Sequence, residues 1–84
     1  MKVKRNYLRT PIEAHNKERM QKIGDFIKEY RRDMYSRIEF SEEHGITKSV
    51  LERAENGQNI MFHSILRICD ALQLTPEELF AEVD

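Results

Sequence analysis

Residues 36–57 read SRIEFSEEHGITKSVLERAENG, and this stretch predicts two short helices joined by a tight turn. Ser36 and Glu39 have the spacing of a capping box, in which each side chain accepts a hydrogen bond from the other residue's backbone N–H. The first helix is expected to continue to about His44. Gly45 follows it, where a helix commonly ends in the left-handed conformation that glycine adopts at little cost.

The second helix is predicted from Lys48 to Asn56, with Thr47 as its N-cap and Gly57 directly after its end. Its apolar residues fall on one side at helical spacing, and they are Val50, Leu51 and Ala54. Its polar residues lie largely on the other side, and they are Lys48, Ser49, Glu52 and Arg53. A helix, a short glycine-containing turn and a second helix together form the helix-turn-helix pattern.

The run GITKSVLERAENG at residues 45–57 is similar to the helix-turn-helix of lambdoid phage repressors, Cro and the wider Xre-like bacterial regulators. The run ILRICDALQLTPEELF at residues 65–80 resembles the fourth and fifth helices of the same domain. The resemblance as a whole covers roughly residues 23–80. It implies an all-α fold, a five-helix lambda-repressor-like DNA-binding domain at residues 20–84, behind a short basic N-terminal extension at residues 1–19.

The resemblance also implies a function, because the second helix of this motif enters the major groove of DNA and reads base edges there. The expected protein is a sequence-specific transcriptional regulator that binds double-stranded DNA, as a homodimer on a pseudo-palindrome. The positions that contact bases in the family are held by Lys48, Ser49 and Arg53. The positions that contact phosphates are held by Arg37, Thr47 and Asn56, although Asn56 also fits a turn residue that ends the helix. Glu55 is expected to pair with Arg31 or Arg32 of the first helix.

Thr10 and Pro11 predict the start of a helix that runs to about Arg32, with threonine as the cap and proline at the first position. Its apolar residues form a stripe from Met20 onward, and the candidates are Ile12, Met20, Ile23, Phe26, Ile27 and Tyr30. The polar part before Met20 fits a solvated extension, a separate short helix or a contact with a partner. Gly24 weakens such a helix by about 1 kcal/mol relative to alanine.

Two further helices are predicted behind the motif. The first runs from Phe62 to Gln73, and its apolar face is formed by Phe62, Ile65, Leu66, Ile68, Cys69 and Leu72. Cys69 on this face is expected to be a buried, inert thiol, because no base is paired with it. Thr75 and Pro76 begin a last short helix, from which Leu79 and Phe80 are expected to fold back onto the core.

The net charge of −1 is distributed unevenly along the 84 residues. Residues 1–10 carry four bases and no acid, whereas residues 58–84 carry one base and five acids. Phosphate neutralisation supplies much of the affinity of DNA-binding proteins, so the basic N-terminal segment is a candidate DNA-contacting arm. The same segment also fits a disordered tail or a strand that pairs with a second copy.

Other classes of function find little support in the sequence. No phosphate-binding glycine loop, catalytic triad order or metal-ligand spacing is present, so we expect no enzyme activity, no cofactor and no metal. No apolar run reaches the roughly 18 residues of a membrane span, and a single cysteine fits a cytoplasmic protein. The alternative is a protein-interaction or antitoxin-like subunit that keeps the fold with weak or no DNA binding, since several glutamates lie near the proposed DNA face.

Overall fold

A computed structural model describes the backbone of residues 9–83 and the side chains of residues 14–83. This part of the chain contains five α-helices and no strand, so the fold is all-α, as the sequence predicts. The helices are α1 (Arg9–Arg32), α2 (Arg37–His44), α3 (Lys48–Glu55), α4 (Phe62–Leu72) and α5 (Pro76–Phe80), followed by a turn of 3-10 helix (Ala81–Val83). The predictions about residues 1–8 and the side chain of Ile12 fall outside the described part.

α1 is longer than the portion that packs against the domain. Ile27 is fully buried and Ile23 and Phe26 pack against the core, which confirms these members of the predicted apolar stripe. Tyr30 is 37% exposed, so its predicted place in the stripe is wrong. Residues 14–18 are exposed and continue the same helix without a break, so they form a solvated extension of α1 rather than a separate helix. The described part of the helix already includes Arg9 and Thr10, so the cap predicted at Thr10 is wrong.

α1 and α3 approach each other closely at Gly24. A Cβ atom on Gly24 would lie 2.5 Å from the carbonyl oxygen of Ala54 and 2.8 Å from that of Glu55. Both distances are shorter than carbon–oxygen van der Waals contact, and both oxygens belong to the backbone of α3. The missing side chain of Gly24 therefore permits the crossing of the two helices, at the helix-propensity penalty that the sequence indicates.

The caps of the motif form as predicted. The Ser36 hydroxyl accepts from the Glu39 N–H at 3.1 Å, and the Glu39 carboxylate accepts from the Ser36 N–H at 2.9 Å. Gly45 has a φ of 67°, in the left-handed region, and ends α2. The Thr47 hydroxyl accepts from the Val50 N–H at 3.2 Å and thereby begins α3. The turn between α2 and α3 is thus defined by local hydrogen bonds at both of its ends.

α3 and α4 each end one residue earlier than predicted. Asn56 follows α3 as its cap residue, and Gly57 then turns the chain with a φ of 73°. Gln73 ends α4 in a left-handed conformation with a φ of 59°, and it is the one described residue other than glycine with a positive φ. A left-handed residue cannot continue the helical hydrogen bonding, so the boundary falls in front of it.

The core is a single cluster to which all five helices contribute. Its buried members are Ile27, Phe40, Ile46, Leu51, Ala54, Ile68, Cys69, Leu72, Leu74 and Leu79.

Burial raises the pKa of the Cys69 thiol, and the neighbouring Asp70 carboxylate raises it further. The thiol therefore stays protonated at neutral pH, and the predicted burial of Cys69 is confirmed.

Two aromatic residues that were predicted to face the core are exposed instead. Phe62 is 65% exposed and Phe80 is 38% exposed. Phe62 is the first residue of α4, and the fully buried positions of that helix begin only at Ile68. Leu79 takes the inward position of α5, and the next residue is turned away by about 100° around the helix axis.

Candidate nucleic-acid interface

Three charged side chains from three helices contact one another: Arg31 of α1, Arg37 of α2 and Glu55 of α3. We refer to them as the three-helix ion cluster. The Glu55 side chain is fully buried, and that of Arg31 is 7% exposed. Arg31 donates from Nε to Glu55 Oε2 at 2.9 Å and from Nη2 to Oε1 at 2.8 Å, which is a bidentate pair. Arg37 Nε donates to the same Oε1 at 3.0 Å.

Arg31 is the partner of Glu55, whereas Arg32 is exposed. Arg31 also organises the connection that leads into the motif. Its Nη1 donates to the carbonyl of Tyr35 at 3.1 Å, and its own carbonyl accepts from the Tyr35 N–H at 2.7 Å. One arginine thus joins the end of α1, the connection to α2 and the end of α3.

Arg37 also reaches the surface. Its side chain is 31% exposed, and Nη1 lies 3.6 Å from Oε2 of Glu52, whose side chain is 41% exposed. The same guanidinium is therefore held between the buried carboxylate of Glu55 and the exposed carboxylate of Glu52. The sequence assigns Arg37 to a phosphate, and the structure places its partly exposed side chain beside α3.

The side chains expected to read bases share one side of α3. Lys48, Ser49 and Arg53 are exposed, whereas Leu51 and Ala54 on the opposite side are buried. Ser49 and Arg53 are four residues apart, so they are neighbours on the helix surface. We refer to Lys48, Ser49, Glu52 and Arg53 as the exposed α3 face.

Arg53 makes a contact within the protein that the sequence does not indicate. Its Nη2 donates to the backbone carbonyl of Asn59 at 2.7 Å, which ties the exposed α3 face to the loop between α3 and α4. A guanidinium carries five N–H donors, so this bond leaves others for a ligand. The contact also restrains the long side chain, and therefore lowers the entropy that Arg53 can lose on binding.

The two remaining candidates lie at the two ends of α3. Thr47 is exposed, and its hydroxyl accepts from a backbone N–H while it retains its own hydrogen as a donor. Asn56 is exposed, and its N–H donates to the carbonyl of Glu52 at 3.0 Å. Its position as the cap residue of α3 confirms the interpretation of Asn56 as the residue that ends the helix.

Arg67 of α4 donates hydrogen bonds to the C-terminal end of α2. Its Nη2 donates to the carbonyl of Gly45 at 3.0 Å and to that of His44 at 3.3 Å. Cations are favourable beside the C-terminal end of a helix, where carbonyl groups lack partners. The one sequence signal for this role is that Arg67 is the single base among residues 58–84.

Histidine and acidic residues form no recognisable ion site in the described part of the chain. No group of three or more His, Cys, Asp or Glu side chains within residues 14–83 is arranged to hold a metal. His44 instead packs against Tyr35 and Phe40, with ring centroids 5.4 Å and 5.0 Å apart.

Among the described helices, none has the length and apolar character required to cross a membrane.

The family model of the Cro/C1-type helix-turn-helix DNA-binding domain matches residues 30–84, which is more than half of the chain. The protein therefore belongs to this family of DNA-binding domains. The matched segment starts near the end of α1 and includes all of α2 to α5 together with the three-helix ion cluster. No curated protein and no solved structure matches the chain significantly.

Proposed function

We propose that the protein is a sequence-specific regulator of transcription that inserts α3 into the major groove of double-stranded DNA. The observation that carries this proposal is the exposure of Lys48, Ser49 and Arg53 on one side of a helix whose other side is buried. Lysine and arginine donate to guanine O6 and N7, and serine contacts any base. Membership of a DNA-binding family supports DNA as the partner.

Phosphate contacts are assigned to Arg37, Thr47 and Asn56, which are all at least partly exposed around α3. Contacts to phosphates set the position of a protein on the duplex but carry no sequence information directly. Because Lys48 and Arg53 are the two basic residues of α3, we expect the phosphate contacts to supply a large part of the affinity.

Replacing Arg53 by alanine is expected to cost about 1–3 kcal/mol of binding free energy at one base pair and to relax the preference there. The physical reason is the loss of a guanidinium that donates to a base edge from the exposed α3 face. A preferred duplex is first obtained by binding selection from random sequences. Fluorescence anisotropy then measures the affinity of both proteins for that duplex and for its single-base-pair variants.

Lys17→Ala is the matched control, because it removes one exposed base from the solvated part of α1. It should leave the base preference unchanged. An equal loss of affinity for every duplex with Arg53→Ala would mean that Arg53 contacts a phosphate, and the assignment to a base would be wrong.

Two copies of the protein are proposed to pair through an apolar patch formed by Ile60, Met61, Phe62 and Phe80. Met61 is 73% exposed, and Phe62 and Phe80 line a groove of about 340 Å³ beside Met20 and Ile60. The polar neighbours of the patch in this groove are Gln58 and Asn59, which are uncharged, so two copies can meet there without like-charge repulsion.

The position of the patch fits recognition of two half-sites. It begins directly behind α3, which is about 12 Å long. With a two-fold axis beside Met61, we expect the N-terminal ends of two α3 helices to reach successive major grooves, which lie ~34 Å apart. Aromatic residues and methionine are enriched in such interfaces.

Phe62→Ser is expected to shift the protein from dimer to monomer, because it removes the largest exposed apolar side chain of the patch. Analytical ultracentrifugation over a range of protein concentrations measures the shift. Ile38→Ser is the matched control, since Ile38 is 57% exposed but lies on α2. An unchanged dimer with Phe62→Ser, or a monomeric wild-type protein, would rule out the patch as the pairing surface.

The second candidate function is a protein-interaction or antitoxin-like subunit that keeps this fold with weak or no DNA binding. Glu52 favours it, because a partly exposed carboxylate on the exposed α3 face repels phosphates. A gel shift with random duplex DNA at low and moderate salt separates the two candidates. Binding that weakens with salt supports the regulator, and no binding at either salt supports the interaction subunit.

As a regulator, we expect the protein to act in the cytoplasm without catalytic activity.

A further inference from the structure

Glu52 is the acidic residue of the exposed α3 face, and its ion-pair partner is Arg37 of α2. Its Oε2 lies 3.6 Å from Arg37 Nη1, and both side chains are partly exposed. The distance is within ion-pair range but longer than a hydrogen bond. The two residues are thus held together mainly by charge, in a position that solvent and a second anion can reach.

Arg37 is oriented from the opposite side. Its Nε donates at 3.0 Å to the fully buried carboxylate of Glu55, which is itself held by two hydrogen bonds from Arg31. The guanidinium is planar and rigid, so fixing the Nε edge also restricts the position of Nη1. The Arg37 guanidinium is therefore a preorganised anion site. Its Nε is bonded to the buried Glu55, and its Nη1 is paired more loosely with Glu52.

We propose that Glu52 occupies the place of a DNA phosphate on Arg37 in the free protein and is displaced when DNA binds. This inference rests on the proposed function, in which Arg37 contacts a phosphate. A carboxylate and a phosphate both accept hydrogen bonds from the same guanidinium edge, so they compete for it. Glu52 thereby acts as a sequence-independent brake on DNA affinity, and it keeps Arg37 extended toward the exposed α3 face between binding events.

Glu52→Gln tests the brake, because it removes the competing charge and keeps the size of the side chain. We expect duplex DNA to bind about three- to tenfold more tightly at low salt, as the screened interaction of two nearby charges allows. The gain should be equal for the preferred duplex and for random duplex, since a phosphate contact carries no sequence information. It should also shrink as salt is added.

Two further variants test whether the effect passes through Arg37. Glu43→Gln removes an exposed charge of the same sign from α2, and it measures the effect of net charge alone. Arg37→Gln removes the proposed anion site and leaves Glu55 paired with Arg31. The gain from Glu52→Gln should exceed that from Glu43→Gln and should be lost in the Arg37→Gln background. An equal gain with and without Arg37 would overturn the proposal, because Glu52 would then repel the DNA directly.

Two other results with DNA also overturn the proposal. Unchanged affinity would mean that Glu52 is a solvated residue with no influence on binding. A loss of affinity confined to one base pair would mean that Glu52 accepts from cytosine N4 in the major groove, which is the other established use of a glutamate there.

A measurement without DNA separates this inference from the proposed function. Inorganic phosphate is titrated into 15N-labelled wild-type protein and Glu52→Gln, and the Nε–H signal of Arg37 is followed by NMR. The signal should shift at a severalfold lower phosphate concentration in the variant. Equal phosphate dependence would overturn the brake even if DNA binds. Failure to bind any duplex would overturn the proposed function and the brake with it, whatever the phosphate titration shows, so the two failures are distinguishable.

Discussion

Replacing Glu55 by glutamine is expected to lower the free energy of unfolding by about 3–5 kcal/mol, the usual effect of removing one partner from a buried ion pair. Glutamine keeps the shape of the side chain but leaves the buried Arg31 guanidinium without a counter-charge. It also turns an amide donor toward two arginines that can only donate. Thermal unfolding followed by circular dichroism should show a melting temperature at least ~12 °C lower.

Glu52→Gln is the control for this change, because it is the same substitution on the same helix at a side chain that is 41% exposed. Its effect on stability should stay within about 1 kcal/mol, as for other surface ion pairs. The double variant Arg31→Met with Glu55→Met should recover much of the lost stability, because it removes both fully buried charges. Arg37 loses its bond to Glu55, but its side chain is 31% exposed and keeps Glu52 beside it. If the double variant is as unstable as Glu55→Gln, the bonds to the Tyr35 connection, rather than the charges, dominate.

Gly24→Ala is expected to destabilise the domain by about 2–3 kcal/mol, although alanine is the better helix former by about 1 kcal/mol. The added methyl group meets backbone oxygens of α3 at 2.5 Å and 2.8 Å, and a backbone cannot move aside as a side chain can. The two helices must therefore separate. Because α3 carries Glu55, the separation also strains the hydrogen bonds of the three-helix ion cluster.

Lys28→Ala provides the comparison for Gly24→Ala, since it introduces the same residue at an exposed position of α1. It should change the free energy of unfolding by no more than about 0.5 kcal/mol. Urea unfolding of both variants gives the two values. An increase in stability with Gly24→Ala would show that helix propensity outweighs the contact and that the two helices do not cross as closely as described.

Features set by neighbouring residues could be predicted from the sequence. Ser36 with Glu39, Gly45 and Thr47 each act over at most four residues, and all of them take their expected roles. The inward side of α3 follows from its apolar spacing for the same reason. The helix-turn-helix and its exposed residues are therefore encoded locally, which is why a short run of sequence is enough to indicate the family.

Features set by distant residues could not be predicted in the same way. The contact of Gly24 depends on two carbonyl oxygens about 30 residues further along the chain, and its sequence shows only a poor helix former. The sequence predicts only a DNA contact for Arg37, the second partner of Glu55, because nothing in the spacing indicates a buried carboxylate beneath it. The apolar spacing of α4 predicts an inward Phe62, because periodicity does not report where the neighbouring helices end.

The three-helix ion cluster also limits how such a protein can change by mutation. A single substitution at Glu55 leaves two arginines facing each other, and a single substitution at Arg31 leaves a buried carboxylate with only the partly exposed Arg37 as its partner. The apolar alternative requires at least two simultaneous changes on different helices, and each one-step intermediate is expected to lose several kcal/mol of stability. An evolutionary path away from this arrangement therefore crosses a fitness valley, whereas the exposed residues Lys48, Ser49 and Arg53 can vary one at a time with little effect on stability.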